Sequence, residues 1–473
     1  MRPGYDAEHD GWWQSVDDRF AVLLGAAAVV GVWQGSRAIL LVLLVAVAVG
    51  AVGRRVDVAV LLVALVSVGA VLGDAAWRSV APDALGPYRG WATVRGDPES
   101  AGTAMRAVLE VEGERFRVLV YGARRHRLGR LDDGERVQVV GERVALGGTF
   151  RRSQQVRHIV GDLRVELLGD TATAAPLRRA TNRIRDALRR GAERTMASDQ
   201  AALFLGLVIG DDSRQPPALV EAFRAGGLSH LTAVSGQNVA YVLALAGLGL
   251  RRLPRWWRLA ATLALIGWFV VLTRAEPSVV RAGTMAAWSA VAFALGRERT
   301  PVRTLCLAAV TLVFVDPLLV WSVGFWLSVG ATAGVCVVGP ELASRLAGPT
   351  WLVAPLSVTL GAQVGVLLPS VLVFQRLPVL GIPANLLAVP VAGLVMLYGI
   401  PAALVAAALP DVLAQVVMWP CTVATRWVSV VAVLAARLQP SGVAAVAVGV
   451  LELIVVGGLV AARWRDRAAP VER

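Results

Sequence analysis

Two long stretches of the chain, Thr350 to Gln375 and Leu377 to Pro410, contain no charged residue. A helix of about 20 apolar residues crosses the hydrocarbon core of a bilayer, so each stretch is long enough to span it. Water is absent from that core, and helices satisfy their own backbone polar groups. Hydrophobic residues make up 56% of the 473 residues and charged residues 17%, which excludes an ordinary soluble protein. The sequence therefore predicts a polytopic membrane protein.

Apolar segments recur along the chain and predict a mainly α-helical protein with about 12 transmembrane helices. We expect N-terminal transmembrane hairpins at 1–80, a transmembrane domain at 200–465 and a cytoplasmic tail at 466–473. The predicted spans are Phe20–Trp33, Ala38–Val52, Val56–Gly73, Leu228–Leu250, Trp257–Thr273, Ser278–Leu295, Val302–Val315, Leu318–Val338, Trp351–Phe374, Ala384–Leu409, Val412–Ala436 and Ser441–Ala462.

Residues 85–170 have a different character from the segments on either side. Stretches such as RGWATVRG, AMRAVLEV and ERFRVLVY are short, valine-rich and partly alternating, and Gly, Asp and Pro separate them. This pattern predicts an inserted, soluble all-β domain. Five strands in so short a stretch fit an OB-like barrel, a fold that often binds nucleic acids. A different five-stranded barrel would have the same pattern.

A basic run in this β-domain follows Tyr121. Its arginines are candidate outer DNA contacts, because charge and aromatic stacking together hold single strands. A solvated loop is the alternative interpretation. The run consists of Arg124, Arg125, Arg127 and Arg130.

Residues 176–198 predict an Arg-rich amphipathic helix. Its apolar positions recur at helical spacing, with arginines between them: Leu177, Ala180, Ile184, Leu188 and Gly191. We expect this interfacial helix to lie on anionic headgroups. The alternative is that its arginines form part of a ring that guides a polyanion. The next stretch, Ala201–Gly210, is apolar but too short to cross a membrane, and predicts an interfacial or re-entrant segment.

All basic residues of the chain are arginines, and the net charge is +13. With the N-terminus in the cytoplasm, most loop arginines fall inside. Only Arg37, Arg274, Arg281, Arg376 and Arg437 fall in short outside loops. The positive-inside rule therefore favours this orientation, which places the β-domain outside.

The block Gly206–Asn238 is polar and glycine-rich, although hydrophobic segments flank it. Asp211 and Ser213 follow a short apolar rise and are suited to cap the next segment. Gly226–Gly227 permits a sharp turn. Polar side chains within membrane helices usually face a bundle interior or a water-filled path. The block therefore predicts a polar lining or hinge within the membrane domain.

This block resembles the competence domain of the ComEC family, the inner-membrane channel of bacterial DNA uptake. Three later stretches resemble motifs of that family in the same order: EPSVVRAGTM from Glu276, VDPLLVWSVGFWLSVGATAG from Val315 and PVLGIPANLLAVP from Pro378. The resemblance implies a DNA path or structural motif that includes Gly210, Asp211, Gly227, Ser229, His230, Ser235, Gly236, Asn238, Arg281, Gly324, Ser328 and Asn385.

The sequence departs from the family at two points. Asn238 stands where the family has a histidine, so no role that needs that imidazole is expected. Many members continue into a metallo-β-lactamase-like domain, and no HxHxDH-like cluster occurs in this sequence. We therefore expect neither a metal, nor another cofactor, nor enzymatic activity. The three cysteines lie singly in apolar runs and suggest neither a disulfide nor a metal site.

The sequence predicts uptake of single-stranded DNA through the bacterial cytoplasmic membrane. No GxxxxGKS/T motif is present, so the energy is expected from elsewhere. The expected partners are the membrane, single-stranded DNA, a separate receptor, motor and nuclease, and a second copy of the chain. The alternatives are a transporter of another anionic or lipid-linked substrate and a membrane enzyme that uses Ser235 or His230.

Two arginines near Glu276 have alternative interpretations. Arg274 and Arg281 could contact phosphate at the entrance of a DNA path, since guanidinium groups form paired hydrogen bonds with phosphate. A local ion pair, or side chains that reach toward lipid headgroups, is the alternative.

Overall fold

A computed structural model gives the structure of the chain and describes residues 18–35, 56–232, 236–297, 300–374, 380–440 and Ile454. The chain divides into two units: Met1–Ser79 with Ala287–Ser322, and Val80–Ala286 with Val323–Arg473. The predicted span Ala38–Val52, most of the predicted span Ser441–Ala462 and the predicted tail 466–473 lie outside the described residues.

The elements up to residue 225 are α1 (Asp18–Gln34), α2 (Val56–Arg78), β1 (Gly86–Ala101), β2 (Ala104–Val111), β3 (Glu114–Val120), α3 (Ala123–Leu128), β4 (Arg136–Ala145), α4 (Arg151–Gln155), β5 (Ile159–Ala172), α5 (Pro176–Glu193), α6 (Ser198–Ile209) and α7 (Pro217–Ala225). The later elements are α8 (Ser229–Thr232), α9 (Gly236–Leu250), α10 (Arg255–Leu272), α11 (Pro277–Ala294), α12 (Pro301–Val315), a 3-10 helix (Pro317–Trp321), α13 (Val323–Arg345), α14 (Thr350–Phe374), α15 (Gly381–Ala408) and α16 (Asp411–Leu438).

In the first unit, α1 and α2 pack closely because glycine allows their backbones to approach. A Cβ atom on Gly31 would lie only 2.6 Å from the carbonyl oxygen of Val66. Aromatic rings add to this packing: the rings of Trp33 and Trp321 stack with centroids 5.9 Å apart, and Trp77 meets Trp321 edge-on at 5.1 Å. Such close approach between small residues is typical of helices that associate within membranes.

The five strands of the second unit form a closed barrel in the order β1-β2-β3-β5-β4. The strand pairs are antiparallel, except that β3 and β5 run parallel. Alternate residues point inward, and Phe116, Leu109 and Leu163 are fully buried in the barrel core. The small β-barrel that the valine-rich pattern predicted is thereby confirmed.

The helical part of the second unit is built around α6. Leu203, Phe204 and Leu207 of this helix are fully buried in a core that α5, α15 and α16 also supply. Gly191 of α5 sits against the backbone of Ala403 in α15, where a larger side chain would not fit. The short apolar helix α6 is therefore enclosed by other helices of the same unit.

Six helices in the described part of the chain are long and apolar enough to cross a membrane. They are Ala59–Arg78, Arg255–Leu272, Val323–Arg345, Thr350–Ser370, Gly381–Ala408 and Asp411–Leu438. A mainly helical, multi-pass architecture is confirmed at this level. The predicted count of about twelve spans is not confirmed, because several predicted spans, α9 and α12 among them, are apolar helices with fewer than 18 residues.

Two predicted spans differ in detail from the observed elements. The predicted span Leu318–Val338 begins in the 3-10 helix, where Asp316 accepts a hydrogen bond from the amide of Leu318, and α13 then continues to Arg345. Proline at the second position of an Asp-Pro turn explains the irregular start. The predicted span Leu228–Leu250 corresponds to α8 and α9, with residues 233–235 outside the described part.

Candidate functional site

Gly210 ends α6 with a left-handed backbone, φ +71°, which glycine adopts without steric cost. The turn places Asp211 directly beyond the buried end of the helix, and only 5% of Asp211 is exposed. One carboxylate oxygen, Oδ1, accepts hydrogen bonds from the amide and the hydroxyl of Ser213. Asp211 therefore forms capping hydrogen bonds, and it forms them with the turn at Ser213.

Two arginines of α5 face the other carboxylate oxygen of Asp211. Its Oδ2 lies 3.2 Å from Arg189 Nη2 and 3.5 Å from Arg185 Nη2. Burial alone would raise the pKa of Asp211, but Arg185, the Ser213 hydrogen bond and Arg189 outweigh it and lower the pKa below its usual value. Asp211 is therefore held as a carboxylate.

Arg185 connects α5 to three other parts of the unit and is itself 2% exposed. Its Nη1 donates to the carbonyl oxygens of Leu272 at 3.0 Å and Ile209 at 3.4 Å, which end α10 and α6. Its Nη2 pairs with Asp97, in strand β1 of the barrel. One buried side chain thus joins the barrel to the ends of two helices of the bundle.

Arg274 reaches the same carboxylate from the turn after α10. Its Nη2 lies 2.9 Å from Asp97 Oδ1, and its Nη1 lies 2.9 Å from Asn182 Oδ1 and 3.4 Å from Asp133 Oδ2. Arg274 and Ala275 both have left-handed backbones, with φ of +58° and +55°, which is uncommon for residues other than glycine. The local ion pair, rather than a free phosphate contact, is the interpretation that fits Arg274.

We call these residues the arginine–carboxylate network. It consists of Asp97, Asp133, Arg178, Asn182, Arg185, Arg189, Asp211 and Arg274. Buried charges of opposite sign that also form hydrogen bonds are costly to separate, because each would remain unpaired in a medium of low polarity. The network therefore fixes the barrel against α5 and the end of α6.

The network changes the interpretation of the predicted interfacial helix at residues 176–198. Its helical structure is present as α5, but Arg178, Arg185 and Arg189 pair with carboxylates of the same unit and not with lipid headgroups. Arg183 and Arg190 remain exposed. Arg179 is exposed as well and hydrogen-bonds only a carbonyl oxygen among the described residues, so these three arginines keep the role proposed for headgroups or a polyanion.

The predicted basic run of the barrel forms α3, and most of it has partners. Arg124 Nη1 donates to the carbonyl oxygens of Val165 and Glu166, at 2.6 and 3.0 Å. Arg127 donates in the same way to β5, and Arg125 donates to the hydroxyl of Ser100. These hydrogen bonds tie α3 to the barrel and weaken the case of the three arginines as DNA contacts, although Arg124 and Arg127 are exposed. Arg130 follows α3 and is exposed as well.

A second exposed surface of the barrel was not predicted from the sequence. On β1, Trp91 is 36% exposed, and the guanidinium carbon of Arg136 on β4 lies 5.2 Å from its ring centroid. Arg89, two residues earlier on the same strand, is also exposed. By contrast, Arg95 and Arg117 form paired hydrogen bonds with Glu110 and Asp162. Only the register of β1 against β4, with Thr93 opposite Arg136, could have indicated this pairing.

Arg281 and Ser328, both predicted from the resemblance, come together between α11 and α13. Arg281 Nε donates to the Ser328 hydroxyl and its Nη1 to the Thr332 hydroxyl, each at 2.5 Å. Arg281 is 8% exposed. No carboxylate of the described residues lies within ion-pair distance of it. This arginine differs in that respect from Arg185 and Arg274.

The other predicted residues are dispersed. Asn238 is buried, and its side-chain amide donates to the carbonyl oxygen of Leu207 in α6 at 3.0 Å. Asn385 is buried in α15, and its Oδ1 has no hydrogen-bond partner among the described residues. Gly227 has φ +71° just before α8. The exposed positions are Ser229, His230 and Gly324. Ser235 lies outside the described residues, and Gly236 begins α9.

Within the described ranges, no group of three or more His, Cys, Asp or Glu side chains could hold a metal ion. The chemistry that the site offers is that of hydrogen bonding and charge. Paired arginines join the barrel to the bundle, and the described partners of the buried Arg281 include two hydroxyls and no carboxylate.

The model of the family described as "Competence protein" matches residues 207–467, more than half of the chain. The chain belongs to the Competence protein family. This confirms the family resemblance, and the matched region begins inside α6 and includes Asp211, Asn238 and Arg281.

Two curated proteins are similar to parts of the chain. "Competence protein ComA" of Neisseria gonorrhoeae is 34% identical over 148 residues, which cover 29% of this chain and 21% of that protein. "Uncharacterized protein YcaI" of Escherichia coli (strain K12) is 28% identical over 225 residues, 43% of this chain and 29% of that protein. The chain therefore spans less than a third of the length of these relatives. No solved structure matches the chain significantly.

Proposed function

We propose that this protein passes single-stranded DNA across the bacterial cytoplasmic membrane during natural transformation. Membership of the Competence protein family and six helices suited to a membrane support a role in DNA uptake. The proposal assigns the chain a transport role without a catalytic step, and leaves nuclease, receptor and motor functions to separate proteins.

The proposal rests mainly on one observation: helix α6 ends inside the protein. Its 12 residues are too few to cross a bilayer, and Ala201 to Ile209 are all buried. Its last carbonyl groups accept hydrogen bonds from the side chains of Asn238 and Arg185. Non-helical backbone at membrane depth is tolerated where it is enclosed by protein or lines a watery cavity, as in transporters with discontinuous helices. A polar path beside Gly210 and Asp211 fits this arrangement.

The barrel supports a nucleic-acid substrate. Five strands closed in the order β1-β2-β3-β5-β4 support an OB-type barrel. Trp91 with Arg136, and the exposed Arg89 beside them, combine the stacking surface and the positive charge that hold single strands without sequence preference. Binding of this kind weakens as salt increases, because phosphate contacts release counterions.

We place the barrel on the outer side, because the distribution of loop arginines favours a cytoplasmic N-terminus. A strand held at the barrel would then reach the bundle near the arginine–carboxylate network. The network keeps the two parts in a fixed relation, which suits the transfer of a polymer from one to the other.

A second function, transport of another anionic or lipid-linked substrate, is favoured by one observation. Arg281 has hydroxyl partners and no described carboxylate, and such a cation suits any phosphate group. The exposed barrel surface at Trp91 distinguishes the two functions, because a lipid-linked substrate would not need it.

Loss of the gene in its own transformable host tests the proposal. We expect transformation with purified DNA to fall to background and to return with the wild-type gene supplied in trans. Binding of double-stranded DNA at the cell surface should remain, since a separate receptor is proposed for it. Normal transformation without the gene would exclude the proposed function.

A further inference from the structure

Arg281 is a buried cation whose described surroundings contain no opposite charge. It lies in α11 and is 8% exposed. The nearest described partners of its guanidinium are the hydroxyls of Ser328 and Thr332, and Met285 Sδ lies 3.7 Å from Nη1. Hydroxyl groups supply partial negative charge but do not neutralise a guanidinium. A buried charge without a counter-charge is strongly destabilising unless another ion pairs with it.

The remaining nitrogen of this guanidinium, Nη2, faces a position without a side chain. A Cβ atom on Gly236 would lie 3.4 Å from Nη2 and 3.1 Å from the Cβ of Ala282. The side of the guanidinium away from the two hydroxyls is therefore bordered by Gly236, which has no side chain of its own to pair with Nη2. Two N–H groups are fixed by the hydroxyls, so the planar guanidinium is held in one orientation with its other donors available.

The other buried arginines of the same unit show what a structural arginine looks like here. Arg185 meets Asp97 and Asp211, and Arg274 meets Asp97 and Asp133. Each is neutralised by carboxylates of the chain itself. Arg281 alone among these three has none within the described residues, although it is only 8% exposed.

We propose that Arg281, held by Ser328 and Thr332 and bordered by Gly236, is a binding site for a phosphate anion. The inference rests on the proposed function, in which the anion is a phosphodiester of single-stranded DNA. A lipid headgroup has the same chemistry and would be the occupant under the second function. Guanidinium and phosphate form charge-assisted hydrogen bonds, and the two hydroxyls act as positioning groups for the arginine.

The test measures binding to the full-length protein in nanodiscs of neutral lipid. One arm titrates a fluorescent oligothymidylate, and the other titrates a short-chain phosphatidylglycerol. We expect Arg281→Gln to weaken binding about tenfold or more in the arm that contains the true occupant, because a hydrogen-bonded charge pair is lost. Arg281→Lys should bind the anion more tightly than Arg281→Gln but more weakly than the wild type, because it keeps the charge without the planar donor group. The matched control, Arg345→Gln, removes the same charge from an exposed pair with Glu341 and should change the affinity less than twofold.

Stability without ligand separates a binding site from a structural role. We expect Arg281→Gln to be at least as stable as the wild-type protein, since it removes a buried charge that has no counter-charge. A structural arginine would lower the unfolding temperature instead. If Arg281→Gln does not fold, the double variant Ser328→Ala/Thr332→Val decides, because it retains the charge but loses its orientation and should bind the anion more weakly.

The outcomes distinguish this inference from the proposed function. Arg281-dependent binding of phosphatidylglycerol with no binding of oligothymidylate would support the anion site and overturn DNA as its occupant. Unchanged affinity of Arg281→Gln for both ligands would overturn the site, even if the wild-type protein passes DNA. Arg281-dependent binding of oligothymidylate supports both.

Discussion

Arginine has two distinct uses in the second unit of this protein. In the arginine–carboxylate network each guanidinium is neutralised, as Arg185 is by Asp97 and Asp211. At Arg281 the described partners of the guanidinium are two hydroxyls and the Met285 sulfur, and none of them is a carboxylate. Because separation of a buried ion pair costs more than removal of an unpaired charge, substitutions at the two kinds of site should differ in sign for stability.

Arg185→Gln should destabilise the protein by about 3 kcal/mol or more, because Asp211 would lose one of its two buried cationic partners. Equilibrium unfolding in mixed micelles measures the change. Arg214→Gln, whose pair with Glu193 is exposed on both sides, should cost less than about 1 kcal/mol. Equal losses for the two variants would contradict the role of the network.

Glu276 gives a prediction about pH. Burial raises the pKa of this carboxyl, and the nearby charge of Asp212 adds to the effect. A carboxyl group whose pKa is higher in the folded state binds its proton more tightly there. Its ionisation therefore lowers the free energy of unfolding as the pH rises from the ordinary pKa to the raised one. Glu276→Gln should therefore unfold at a higher temperature than the wild type at pH 8, and the difference should vanish near pH 4. A difference that does not change with pH would exclude this cause.

At the scale of secondary-structure elements, the barrel and the longer helices could be predicted from patterns in the sequence. Valine alternation predicted the five strands, and charge-free runs predicted α14 and α15. The ion pairs could not be predicted from such patterns, because Asp97 is separated in the sequence by 88 residues from Arg185 and by 177 residues from Arg274. Sequence motifs selected Arg281 and Ser328 separately, but only the structure shows that the Arg281 guanidinium in α11 reaches the Ser328 hydroxyl in α13.

The hairpin of α13 and α14 depends on glycine at its contact. A Cβ atom on Gly361 would lie 2.8 Å from the carbonyl oxygen of Gly334 and 3.0 Å from the amide nitrogen of Gly339. Gly361→Leu should therefore force the helices apart and destabilise the protein by about 1–3 kcal/mol in unfolding titrations. Gly267→Leu in α10 is the matched control, since no atom lies within 4 Å of a Cβ there. A comparable loss for the control would refute the contact as the cause.

On the barrel, Trp91→Ala should weaken binding of oligothymidylate by the full-length protein about fivefold to a hundredfold, because one base loses its stacking partner. Anisotropy titrations at low salt measure this. Phe150, an aromatic residue 73% exposed on the same domain, provides a control: Phe150→Ala should have little effect. If the two variants lose equal affinity, the surface around Trp91 is not the binding surface.

At the scale of the whole molecule, a barrel that we propose binds single strands is attached to a bundle in which a short helix ends among polar groups. The ion pairs that join them, from Asp97 to Arg185 and Arg274, lie between β1 and the ends of α5, α6 and α10. Family membership supports a role in competence, and the ion pairs hold the barrel against the bundle. The claim that unites these parts is that single-stranded DNA passes through the protein.

Transfer of DNA into sealed proteoliposomes tests that claim most directly. The full-length protein is reconstituted in neutral lipid, a potassium gradient with valinomycin makes the interior positive, and labelled oligothymidylate is added outside. We expect nuclease-resistant oligonucleotide to accumulate inside only when the protein is present, and to decrease with Arg281→Gln. Duplex DNA of the same length should remain outside. Accumulation no greater than in protein-free liposomes, with the protein shown to be inserted and folded, would contradict the account.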